Sequence, residues 1–203
     1  MVLNSNCKIQ NINCKNCEVR LLKDIKKVIL DKDFAKKFPD LALYYMCRSV
    51  RQMSDLRYDI TFIPARMLGK EFVRTKGNRN SKQFPELYTV LEGRAIFLIQ
   101  RLKRGKKDAI EDVYAVSAEK KDWVIVPARY AVVTINPSKK DLKTGNWVSE
   151  KNNNVYKELE KMNGACYFYT KSGWIKNKNY KIVPKLRLEK SLKSRPKSLD
   201  FLR

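Results

Sequence analysis

Apolar and polar residues along the 203-residue chain change rhythm once, near Tyr58. Upstream, the stretch VRLLKDIKKVILDKDFAKKF (19–38) puts Leu21, Leu22, Ile25, Val28 and Ile29 at helical spacing with lysines on the opposite face. That spacing predicts helix, and the lysines read as its solvated face. Asp31-Lys32-Asp33 divides the stretch into two helical pieces, and Pro39 stops the second. LALYYMC at 41–47 follows as apolar and aromatic packing, while residues 1–16 are polar, Asn-rich and aperiodic, as in a flexible tail.

From Tyr58 the apolar runs shorten. YDITFIP, KEFVRTK, ELYTVLEG, AIFLIQRL, DVYAVSA, DWVIVP, YAVVTINP, GNWVS, ACYFYT and GWIKN are β-rich and separated by Gly, Pro, Asn, Ser and charged clusters. Short strands at this spacing predict an all-β sandwich or barrel. Between AIFLIQ and DVYAV lies RLKRGKK, five cations around Gly105 with no acid, which predicts a charged β-hairpin tip. EKNNNVYKELEK (150–161) reads as a polar insertion with a helical turn. The expected organisation is a flexible tail (1–16), one domain (17–184) and a basic C-terminal tail (185–203) with seven cations and two acids.

Charge changes the picture most. Lys and Arg number 44 against 21 Asp and Glu, a formal net charge of +23. An excess of this size repels itself unless it meets a polyanion, and nucleic acid is the usual one. Anionic membrane is the other ordinary partner, but no apolar run approaches the roughly 20 residues that span a bilayer. With no signal-peptide core after Met1, the expected location is cytoplasmic and no membrane partner is expected. The chain contains no histidine, which removes the commonest general acid–base and a common metal ligand. Five cysteines (Cys7, Cys14, Cys17, Cys47, Cys166) are an odd set for a disulfide framework. Cys14-x-x-Cys17 has the spacing of half a zinc knuckle with Cys7 as a third ligand, against the plainer reading of ordinary thiols; no cofactor is expected.

RLLKDIKKVILD, LALYYMCRSV, RYDITFIPARMLGKEFVRT, FPELYTVLEGRAIFLIQ, DWVIVPARYAVVTINP, NWV and GWIKNKNYKIVPKLR together resemble the archaeal cupin-type glucose-6-phosphate isomerases over residues 19–184. The resemblance implies a cupin (jelly-roll) barrel with short N-terminal helical elements, working as a homodimer. It also implies a metal held by two histidines of a G-H-x-H turn, a glutamate and a third histidine. Those positions fall here on Asn78, Asn80, Glu86 and Val132, so one of four ligands is retained. A carboxylate with two neutral amides holds a hard cation weakly, and a valine offers no lone pair. The family's phosphate cradle corresponds to Thr61, Thr75 and Gly77, and Tyr88 also matches; as plain structure, threonines favour strands and glycine serves a turn.

Ligand loss together with high charge predicts a non-catalytic cupin that binds ribosomal RNA or a ribosomal subunit, as dimerisation and hibernation factors do. The expected contacts are Arg101, Lys103, Arg104, Lys106 and Lys107 on the hairpin and Lys185, Arg187, Lys190, Lys193, Arg195 and Lys197 in the tail. Trp174, Tyr180 and Phe201 offer stacking faces, although Trp174 and Tyr180 are expected to pack. The alternative is a metal-free sugar-phosphate-binding protein or residual isomerase using Glu86 beside Tyr88. A scaffold for an acidic protein has similar charge demands.

Overall fold

The computed structural model describes residues 17–81 and 84–203. In chain order the elements are β1 (Cys17–Leu21), α1 (Leu22–Ile25), α2 (Lys32–Lys37), β2 (Ala42–Met53), β3 (Leu56–Ile63), β4 (Met67–Leu68), β5 (Glu71–Phe72) and β6 (Asn78–Asn80). There follow β7 (Glu86–Glu92), β8 (Arg94–Leu102), β9 (Ile110–Glu119), β10 (Trp123–Val126), β11 (Ala131–Ile135) and β12 (Leu142–Ser149). The chain closes with β13 (Asn154–Val155), α3 (Lys157–Lys161), β14 (Tyr167–Thr170), β15 (Gly173–Lys176), β16 (Arg187–Lys190) and a 3-10 turn at Asp200–Leu202. The division assigned to 1–16 lies outside the described residues.

Two six-stranded sheets, ordered β1-β2-β3-β12-β7-β10 and β13-β6-β11-β8-β9-β16, face each other around a core that includes Leu43, Ile63, Phe97, Ile99, Val113 and Val133. A small sheet, β15-β14-β5-β4, flanks them. This is the cupin barrel, mostly β with short helices. Alternation explains β7: Glu86, Tyr88 and Val90 face one side, while Leu87 faces the other, and all of 86–90 are buried. A strand buried on both faces needs cover outside the barrel. Here the cover is a second cluster in which Leu56 and Leu87 meet Leu199 and Leu202, flanked by Trp123, Ile125 and Trp147.

The N-terminal stretch departs from its helical spacing. Leu22, Ile25, Val28 and Ile29 are fully buried, yet only Leu22–Ile25 and Lys32–Lys37 are helical, and Cys17–Leu21 is a strand paired with β2. The reason is tertiary. Leu30 N–H donates to the buried Glu71 carboxylate, and the Arg74 guanidinium donates to Val28 O, taking backbone groups that a continuing helix would use. Asp31, placed between two helical pieces by the sequence, caps the second by accepting from Phe34 N–H at 2.9 Å. The continuous apolar run at 41–47 lies mostly within β2, a strand of 12 residues.

Residues 185–203 lie on the barrel rather than apart from it. β16 pairs in parallel with β9, Leu192 exchanges both backbone hydrogen bonds with Trp123, and Leu199 and Leu202 are buried. Among the described residues no helix is long and apolar enough to cross a membrane.

Candidate functional site: a cationic cleft beside a closed interior

The β8–β9 hairpin turns at Gly105, whose φ of +75° lies in the left-handed region that glycine adopts without strain. Lys103, Arg104, Lys106 and Lys107 are exposed on this tip. Arg101 sits lower, within β8, paired with Glu111 at 3.1 Å and stacked over the Tyr130 ring at 4.9 Å. Behind the tip an open cleft of about 730 Å3 is lined by Arg79, Arg101, Lys103, Arg104, Lys106 and Arg129, against the carboxylates of Glu111 and Glu158. Lys107 is on the tip but not among the cleft's lining residues.

Arg79 and Arg129 were not singled out by sequence. Arg79 enters from β6, held by Glu158 at 2.7 Å, and Arg129 from the turn between β10 and β11. Arg129 is exposed with φ +70°, a conformation that costs a residue with a Cβ about 1–2 kcal/mol. The signal for it in sequence was slight: a lone arginine in the short VPARY turn between two apolar runs.

The tail cations divide. Arg187 pairs with Asp112, which also accepts from the Tyr130 hydroxyl; the hydrogen bond to Arg187 holds the Asp112 carboxyl below its ordinary range. Lys193 pairs with Asp122 at 2.8 Å. Among the described residues Lys185, Lys190, Arg195 and Lys197 have no carboxylate within ion-pair distance, and all four are exposed. None of the tail cations lines the cleft. Trp174 packs on Tyr169 at 4.7 Å and Tyr180 is buried, with its hydroxyl accepting from Gln100, whereas Phe201 is 37% exposed.

Thr61, Thr75, Gly77, Asn78, Glu86, Tyr88 and Val132 all line one interior pocket, together with Arg48, Arg57, Asp59 and Asn146. The β6–β11 register sets Val132 opposite Asn78. Asn80 is buried beside the pocket, its amide donating to Phe84 O at 2.9 Å. The pocket volume is about 50 Å3, room for a few waters at most, whereas a ligand the size of a hexose phosphate calls for roughly 300 Å3. The threonines are already engaged in part: Thr75 Oγ1 accepts from Thr134 N–H at 3.1 Å.

Glu86 is the chemical centre of this interior. Its Oε2 accepts from the Tyr88 hydroxyl at 2.8 Å and from Asn146 Nδ2 at 2.6 Å. Burial pushes the carboxyl up, and hydrogen bonds from Tyr88, Asn146 and Asn80 only partly offset it. Burial and the neighbouring carboxylate likewise push Tyr88 well above its ordinary value. Asp59 is held between Arg48 at 2.8 Å and Arg57 at 3.1 Å. The side-chain oxygens of Asn80 and Asn146 are buried without a hydrogen-bond partner.

A family model for glucose-6-phosphate isomerase matches residues 21–185. The chain belongs to the glucose-6-phosphate isomerase family. Likeness to solved structures is thinner. Vicilin from Capsicum annuum aligns at 14% identity and TM-score 0.39, covering 55% of this chain and 30% of that one. Oxalate oxidase in complex with the substrate analogue glycolate aligns at 12% and 0.39, covering 50% and 46%. The cupin domain of Schizosaccharomyces pombe Cnp3 aligns at 11% and 0.37, covering 60% and 72%. This chain therefore spans less than half of the vicilin and oxalate oxidase chains it matches. No curated protein matches.

The metal of the cupin-type isomerases does not fit the donor set at the corresponding positions. Glu86 is a single carboxylate with its Oε2 already bonded twice, Asn78 donates its amide to Asn154 at 3.1 Å, and Val132 presents only methyls. Among the described residues no three His, Cys, Asp or Glu converge as a metal site. The Tyr88 hydroxyl donates to Glu86, and the cations lining this pocket, Arg48 and Arg57, are both paired with Asp59.

Proposed function

We propose that this member of the glucose-6-phosphate isomerase family is a non-catalytic cupin homodimer that grips ribosomal RNA, in the ribosome or its subunits, through its cationic cleft and the exposed cations of 185–203. The observation that carries the reading is the cleft itself: six cations from three separate chain segments converge around one open groove against two carboxylates. A small dianion needs one basic pocket, whereas a phosphate backbone needs a lined path. The interior that would take a sugar phosphate is closed to about 50 Å3 and lacks the family's metal-binding side chains, which supports loss of the isomerase reaction. Among the described residues nothing resembles a base-reading module, so recognition would rest on shape and charge. A two-fold dimer would present two such clefts, the arrangement of a factor that bridges two ribosomal particles.

The test is equilibrium binding of the full chain to purified ribosomal RNA across a salt series, beside an isomerase assay with glucose 6-phosphate and added divalent metal. The expected result is a log–log salt slope that steepens by about 0.7–0.9 per phosphate contact, with no turnover. Turnover above background, or RNA binding indifferent to salt, would overturn the proposal. Ribosome association that survives nuclease would instead identify an acidic protein partner.

A further inference from the structure

Among the described residues, β16 pairs on one side only, in parallel with β9, and all four of its residues are exposed. The segment along this sheet edge also gathers apolar surface: Leu188 is 77% exposed, Ile182 60% and Leu192 42%. An uncovered strand edge that carries apolar side chains is a template for another strand. β16 lies beyond the family match at 21–185, so the match assigns nothing to it. Alternation puts Arg187 and Glu189 on one face of β16 and Leu188 on the other. Arg187 Nε stands 3.3 Å from Glu189 Oε1, and the same guanidinium pairs with Asp112, so that face carries both signs at a two-residue spacing.

We propose that a second copy of this chain docks here, β16 against β16, antiparallel about a two-fold axis at Leu188. In that register Leu188 meets its own copy, and Arg187 of each protomer stands opposite Glu189 of the other. The strand is therefore complementary to itself in charge, with an apolar contact at the centre. An axis at Arg187 or at Glu189 would set that charge opposite its own like, which destabilises a pair. An axis between residues would set Leu188 against one of the two charges instead. A phosphate backbone has no use for an exposed leucine beside a carboxylate, which makes a protein strand the better occupant. Pairing would join the two β16-edged sheets into one continuous sheet, and no β16 residue lines the cationic cleft. The proposal rests on the two-fold dimer of the proposed function and names its face.

The experiment is sedimentation velocity of the nuclease-treated full chain over a concentration series, beside mild oxidation of Leu188→Cys. Directly opposite residues of an antiparallel pair have Cα atoms about 4.5–5.5 Å apart, within a disulfide's reach of about 4.4–6.8 Å. Wild type is expected to form a reversible dimer. Leu188→Asp sets two carboxylates face to face and should raise the dissociation constant by roughly tenfold or more. Leu188→Cys should give a covalent dimer well above the wild-type background. Lys190→Cys should stay at that background, because its copies would lie about 13 Å apart along the strands. Leu188 is exposed, so its substitutions leave the core of each protomer intact. A dimer that Leu188→Asp does not weaken, or equal cross-linking at 188 and 190, would overturn this face and leave the dimer itself standing. A wild-type chain that stays monomeric throughout would overturn both.

Discussion

At the scale of single residues, Glu86 and Arg129 are the informative positions. Glu86 is buried, and burial raises its pKa in the folded chain above the ordinary carboxylate value. A raised folded pKa means stability is fully present below the unfolded pKa of about 4.5 and is lost as pH rises through the folded value. Glu86→Gln removes that titration, and Asn146, whose Oδ1 lacks a partner, can turn its amide to accept from the new side chain. Thermal melts from pH 4 to 8 should show wild type losing stability over that window and Glu86→Gln holding a flatter profile, the two within about 1 kcal/mol at the acid end. Identical slopes would mean that Glu86 is ionised in the fold. Arg129 holds a left-handed backbone at the cleft wall. Arg129→Gly should stabilise the chain by roughly 0.5–1 kcal/mol, the relieved strain less the added entropy of glycine, while weakening RNA binding. Loss of both stability and binding would show that the arginine supports the fold, and strain at a binding surface would no longer explain its φ.

At the scale of elements, the hairpin tip and the C-terminal segment, both read from the sequence as cationic surface, behave oppositely. Lys103, Arg104 and Lys106 are exposed around a glycine turn, so charge reversal at all three should leave stability within ~0.5 kcal/mol and reduce the salt slope of RNA binding by about 2–3. Unchanged affinity would remove the tip from the interface. The C-terminal segment is part of the core. Leu202 is fully buried against Leu56 and Leu87, and Leu202→Ala should cost about 2–5 kcal/mol in denaturant unfolding. A cost near zero would mean the segment does not seal the outer face of β7. Sequence showed the seven cations of 185–203 but not this docking, because LDFL is too short for a period and its apolar partners lie far back in the chain. The strands from Tyr58 to Ile135 were legible because their turns carry Gly, Pro and charge at regular intervals. The N-terminal stretch was not: its spacing of buried residues is real, but Glu71 and Arg74 claim its backbone groups from a distance. β2 was missed for a different reason, since YYMC is apolar without alternation and periodicity cannot distinguish a buried strand from packed helix.

At the scale of the whole molecule, the chain pairs a closed barrel interior with an open basic surface. The pocket residues implied by the isomerase resemblance do come together, because strand register fixes them: Thr61, Thr75, Asn78, Glu86 and Val132 lie around one small cavity. What sequence could not give was its size, nor that Arg79 and Arg129, about fifty residues apart, would join the hairpin in one cleft. Cations gathered along an open groove suit a polyanion, and a +23 chain should bind it with strong salt dependence.

The most direct measurement of that claim is sedimentation of ribosomes from a cell extract through a sucrose gradient, probing for the wild-type chain and for the variant reversed at Lys103, Arg104 and Lys106. The account predicts wild type in the ribosomal fractions, released by nuclease and by high salt, with the variant remaining at the top. Wild type at the top of the gradient, or a variant that sediments as wild type does, would contradict it.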